Sequence, residues 1–132
     1  MNEWSPAPSA GYLPIEDHGL IGDGRACALV GRDGTVSFMC VPRFDAPPLF
    51  CSLLDRHQGG SFLLAPDGLR LSRQHYLEDT GVLVTELRAD TGLVEITDAF
   101  SFSDQMHVWR WTPPSAQGNC SGTCVSRRAL SS

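Results

Sequence analysis

Hydrolysis of a glycoside needs two carboxyl groups facing each other across the scissile bond, and acyl transfer needs a nucleophile beside a base. The acids available for the first task are Glu16-Asp17, Asp23, Asp45 and the stretch Glu95 to Asp98. Each falls at an expected turn or strand end, where an Asp normally hydrogen-bonds the local backbone, so all are expected to be solvated or turn-forming. His18, His57, His75 and His107 show no metal-ligand spacing. Cys120 and Cys124, with His107 upstream, make half a zinc set without a fourth ligand, so no metal is expected. No Ser stands in a Gly-x-Ser-x-Gly elbow and no phosphate-cradling glycine loop precedes a helix, so no cofactor is expected either. No set of residues forms a self-sufficient catalytic site. Trp109 and Trp111 alternate around Arg110, which puts both on one face of a strand. Such a pair stacks on sugar rings if exposed, or fills a core or domain interface if buried.

These side chains must be positioned by a single small domain, because 132 residues are too few for two ordinary ones. With 42% hydrophobic and 19% charged residues, the chain can build a core. The net charge of −5 argues against nucleic acid as a partner. Every basic residue is Arg, which reads as codon bias. No apolar run reaches the roughly 20 residues of a membrane helix, and the first residues lack the basic and apolar regions of a signal peptide. The expected compartment is the cytoplasm, with Cys27, Cys40 and Cys51 reduced and in apolar company.

Residues 1–14, with three prolines, read as an irregular leader. Order begins at Ile15 to Leu20. Ala28 to Val30 and Thr35 to Cys40 flank Gly31-Arg32-Asp33-Gly34, and Asp-Gly between β-prone runs signals a hairpin. Pro48 opens an expected short helix to about Asp55, with Leu49, Phe50, Leu53 and Leu54 on one face. Ser61 to Ala65 and Leu69 to Tyr76 are strand candidates. Val82 to Arg88 and Leu93 to Phe102 form a second hairpin, and His107 to Trp111 a last strand. Many strands, tight turns and one short helix point to an all-β antiparallel sandwich. Residues 112–132 lack either periodicity and are expected to be an unstructured tail.

Three ordered motifs carry a resemblance. They are Ile15-Glu16-Asp17-His18-Gly19, then Ala28-Leu29-Val30-Gly31-Arg32-Asp33-Gly34-Thr35-Val36, then Pro42-Arg43-Phe44-Asp45-Ala46-Pro47. Gln74-His75-Tyr76, Val82 to Thr85 and Val94 to Asp98 add to them. Together they resemble the N-terminal region of bacterial glycoside hydrolase family 15, the glucoamylases, glucodextranases and trehalases, over roughly residues 12 to 104. His18 stands where that family usually has Tyr, and Ser37-Phe38 where it has Asp-Trp.

The resemblance implies that residues 15–111 are a trehalase-like N-terminal β-sandwich whose partner in intact relatives is an (α/α)6 catalytic barrel. The family's catalytic glutamates lie in the barrel, so they map onto no residue here, and the chain alone is expected to be inactive. The sandwich would be incomplete, a fragment of an enzyme acting on α-glucosides such as trehalose or malto-oligosaccharides. Arg43, Phe44 and Asp45 are the candidate docking element, Arg43 pairing with a barrel carboxylate while Phe44 packs; alternatively Asp45 caps the helix after it. The bases spanning Gly118 to Cys124, read one frame over, can encode Glu-Leu-Leu-Arg-His-Val as in the family, so the tail is expected to be out-of-frame sequence. The alternative function is a free-standing carbohydrate-binding or interaction module, with Trp109 and Trp111 as its stacking platform.

Overall fold

The computed structural model describes residues 11–100 and the strand Val125–Ser131. The described strands form two antiparallel sheets of four strands each. A single turn of 3-10 helix, Ile15–Asp17, leads into β1 (His18–Gly22), followed by β2 (Cys27–Gly31), β3 (Thr35–Cys40) and the two-residue β4 (Phe62–Leu63). These form the first sheet in sequence order. The second sheet holds β5 (Leu69–Tyr76), β6 (Leu83–Ala89), β7 (Gly92–Phe100) and β8 (Val125–Ser131), also in order. The all-β antiparallel class expected from strand count and turns is the class observed.

The turns are where the sequence placed them. Gly34 closes the β2–β3 hairpin at a φ of 88°, a left-handed conformation that costs glycine nothing sterically. Asp33 Oδ1 accepts from the Thr35 N–H at 2.9 Å, fixing the same turn. At the second hairpin Ala89 pairs with Gly92, leaving Asp90-Thr91 as the connection.

The core lies between the sheets. Ile21, Ala28, Val30, Val36 and Met39 from the first sheet meet Leu83 and Phe100 from the second. Three polar bridges tie the layers. The Tyr76 hydroxyl donates to Leu20 O at 2.8 Å and accepts from Leu20 N–H at 2.9 Å. Gln74 Nε2 donates to Val30 O and to Thr85 Oγ1, each at 3.1 Å. Arg32 reaches across to Ser72 O. Gln74 and Tyr76 are two residues apart, so one strand face carries both bridges.

Three expectations are corrected. The segment from Pro48 to Asp55 is a run of turns, not a helix. Its backbone bonds the exposed edge of β3 instead: Met39 N–H donates to Phe50 O, Leu49 N–H to Met39 O and Leu53 N–H to Ser37 O. Edge pairing there satisfies donors that a helix would have turned inward, and it leaves Leu49 and Leu54 exposed. Ser61 to Ala65 contracts to the two residues of β4. Within the stretch expected to be unstructured, Val125–Ser131 runs antiparallel along β7, pairing Phe100 with Val125 and Val94 with Ser131. Pairing there covers the β7 edge, whose N–H and C=O groups would otherwise lack partners.

Candidate functional site

Several of the described acids have backbone or ion-pair duties. Asp23 Oδ1 accepts from the N–H groups of Arg25 and Ala26, both at 2.8 Å, and so shapes the β1–β2 turn. Asp55 Oδ1 accepts from His57 and Gln58 in the same manner. Asp17 pairs with Arg32 at 3.2 Å, half-buried, beside an Arg32 N–H to Asp17 O bond of 2.9 Å. Asp90 is forked by Arg70, whose hydrogen bond and then charge hold its carboxyl below the ordinary value. Asp23 holds the turn role expected of it, whereas Asp17, expected to be solvated or turn-forming, is ion-paired.

Asp98 departs from that expectation. It is 0% exposed on β7, in line with the buried Ile96 and Phe100. The signal was present in the sequence, since positions 96, 98 and 100 share one face of a strand. Its expected place at a strand end concealed it.

The loop after β3 carries the three residues named as a docking element. Arg43 Nε and NH2 donate to Asp45 Oδ1 and Oδ2, each at 2.9 Å, a bidentate fork within the loop. With turns rather than a helix following, Asp45 has no helix to cap, and the capping alternative is set aside. An Ala46 N–H to Arg43 O bond of 3.0 Å and a Phe44 N–H to Arg25 O bond fix the backbone. The aromatic ring between the two charges is left 67% exposed. The loop is therefore internally braced and presents Phe44 outward.

Among the described residues no three or more His, Cys, Asp or Glu are grouped to hold a metal ion. No helix among them is long and apolar enough to cross a membrane. Trp109 and Trp111, the sugar-stacking candidates, lie outside the described residues, as do His107, Cys120 and Cys124.

Comparison with known proteins accounts for the motifs. Residues 4–108 match the family model described as trehalase-like, N-terminal. The chain is 37% identical over 86 residues to a trehalase of Thermoplasma volcanium, covering 64% of this chain and 14% of that protein. It is 36% identical over 89 residues to a trehalase of Mycolicibacterium smegmatis, 67% of this chain and 13% of that protein. A second trehalase of Sulfolobus acidocaldarius is 32% identical over 87 residues, 66% of this chain and 15% of that protein. The chain thus spans only about a seventh of the length of these curated relatives. No solved structure matches it. With the family model covering most of its length and trehalases aligning over 86 and 89 residues, the chain belongs to the trehalase-like N-terminal domain family.

Proposed function

We propose that this chain is the non-catalytic N-terminal sandwich of a cytoplasmic glycoside hydrolase acting on α-glucosides such as trehalose. The family assignment carries the reading: the chain matches trehalases over a segment that is a small fraction of their length.

The partner in this proposal is the catalytic portion, an (α/α)6 barrel, and the Arg43-Phe44-Asp45 loop is the contact to it. In this reading Arg43 braces the loop through its fork on Asp45, and Phe44 supplies the docking surface.

The test mixes this chain with the catalytic portion of the Mycolicibacterium smegmatis trehalase, made without the segment this chain matches. Glucose release from trehalose is then followed. The proposal expects the chain to raise the activity of the catalytic portion, and Phe44→Ala to weaken that effect. Saturable trehalose binding by the chain, with no effect on the catalytic portion, would instead identify a sugar-binding module.

A further inference from the structure

Three thiols converge at one end of the first sheet. Cys27 opens β2 and Cys40 closes β3, and the antiparallel register sets them directly opposite one another. Residues so paired have Cα atoms about 4.5–5.5 Å apart and project to the same face, within the Cα separation that a disulfide bridges. Met39 sends its side chain into the inter-sheet core, so its neighbour Cys40 lies on the opposite face. The bridge between Met39 and Phe50 brings Cys51 alongside. All three are free thiols, Cys40 buried and the other two partly exposed. Burial, and then the nearness of Cys27 and Cys51, push the Cys40 thiol pKa up.

We propose that Cys27 and Cys40 are a dithiol modification site, oxidised to an intramolecular bridge by a low-molecular-weight disulfide. Cys27 is the entry point, because a small disulfide can reach it while Cys40 is covered. Its thiolate attacks one sulfur of the disulfide RSSR, forms the mixed disulfide Cys27–S–SR and expels RS⁻. The Cys40 thiolate then attacks the Cys27 sulfur and expels the second RS⁻. The two protons given up by the protein thiols end on two RSH molecules. One RSSR is thereby reduced as one protein dithiol is oxidised. Cytosolic disulfides of this kind are transient and redox-sensing rather than structural.

The bridge would join the strand ends from which two loops depart. The β1–β2 turn leads into Cys27, and the Arg43 loop leaves from Cys40. Those loops already meet through the Phe44 N–H to Arg25 O bond. Oxidation would lock that end of the sheet, whether or not the Arg43 loop docks on a catalytic portion.

The test uses the full chain under native conditions, treated with excess oxidised glutathione or with dithiothreitol. Remaining thiols are alkylated, and a tryptic digest is read by mass spectrometry. Arg25, Arg32, Arg43 and Arg56 place Cys27, Cys40 and Cys51 in separate peptides, so every linkage among these three is distinguishable. The expected result is a monomer that has lost two hydrogens, with the Cys27 and Cys40 peptides linked and the Cys51 peptide alkylated. Cys27→Ser should abolish the link and leave Cys40 alkylatable, whereas Cys51→Ser should preserve it. The proposal is overturned if both Cys27 and Cys40 stay alkylatable after oxidation. A Cys40–Cys51 link overturns it too, as does glutathione retained on Cys27.

Discussion

Gly34 offers a test in which local geometry and its energetic cost can be separated. It sits at a φ of 88° in the β2–β3 turn, and its carbonyl accepts from the Leu64 N–H at 3.2 Å, holding the β4 segment against the hairpin. An alanine Cβ there would meet the Leu64 carbonyl oxygen, a backbone atom that cannot rotate away. Gly24 has the same φ of 88°, but a Cβ added to it meets nothing within 4 Å. Gly24→Ala therefore carries the left-handed backbone cost alone, about 1–2 kcal/mol. Gly34→Ala adds the displacement of Leu64 and its hydrogen bond, for a total of about 2–3.5 kcal/mol. At about 4–8 °C per kcal/mol for a domain of this class, the melting temperature should fall by roughly 10–20 °C for Gly34→Ala. Gly24→Ala should cost roughly half of that on the same scale. Circular dichroism melts of the two variants beside the parent chain measure the difference. Equal losses would refute the reasoning, since the clash with Leu64 would then contribute nothing.

Gln74→Leu should lower stability by about 1–3 kcal/mol, because Val30 O and the buried Thr85 hydroxyl both lose its amide; an unchanged urea midpoint would contradict this. Phe44→Ala should leave stability within about 0.5 kcal/mol, the ring being exposed, while weakening rescue of a catalytic portion; a large stability loss would make Phe44 a core residue instead. The Asp90 carboxyl, held low by its hydrogen bond to Arg70 and then by the guanidinium charge, should titrate below the ordinary carboxylate range by carbon-13 NMR. Because its folded value is depressed, its contribution is present above the unfolded value and lost as pH falls through the folded one. Arg70→Gln should move the midpoint upward, and no movement would exclude the pair as the cause.

The legible parts of this fold were those fixed by short-range chemistry. Asp33-Gly34 specified the first hairpin because few residues tolerate the turn's positive φ, whereas the burial of Asp98 on β7 was missed because its acid type and strand-end position suggested a solvated side chain. The segment after Pro48 was not legible in the same way. The spacing of Leu49, Phe50, Leu53 and Leu54 fits a helical face, yet the free edge of β3 offered those backbone groups better partners. Long-range competition of that kind leaves no mark on local periodicity. The docking loop was legible as a motif but not as a geometry. Its residue types stood in the sequence, whereas the closure of Arg43 on Asp45 depends on the backbone path between them. Gln74 and Tyr76 were visible only as part of a resemblance, and their role as bridges between sheets needed the second sheet in place.

The most direct measurement is glucose release from trehalose by the purified chain alone, followed over rising chain and trehalose concentrations. A non-catalytic sandwich releases none above the buffer control. Release that grows in proportion to the chain and saturates with trehalose would contradict the account and place a hydrolytic site within these 132 residues.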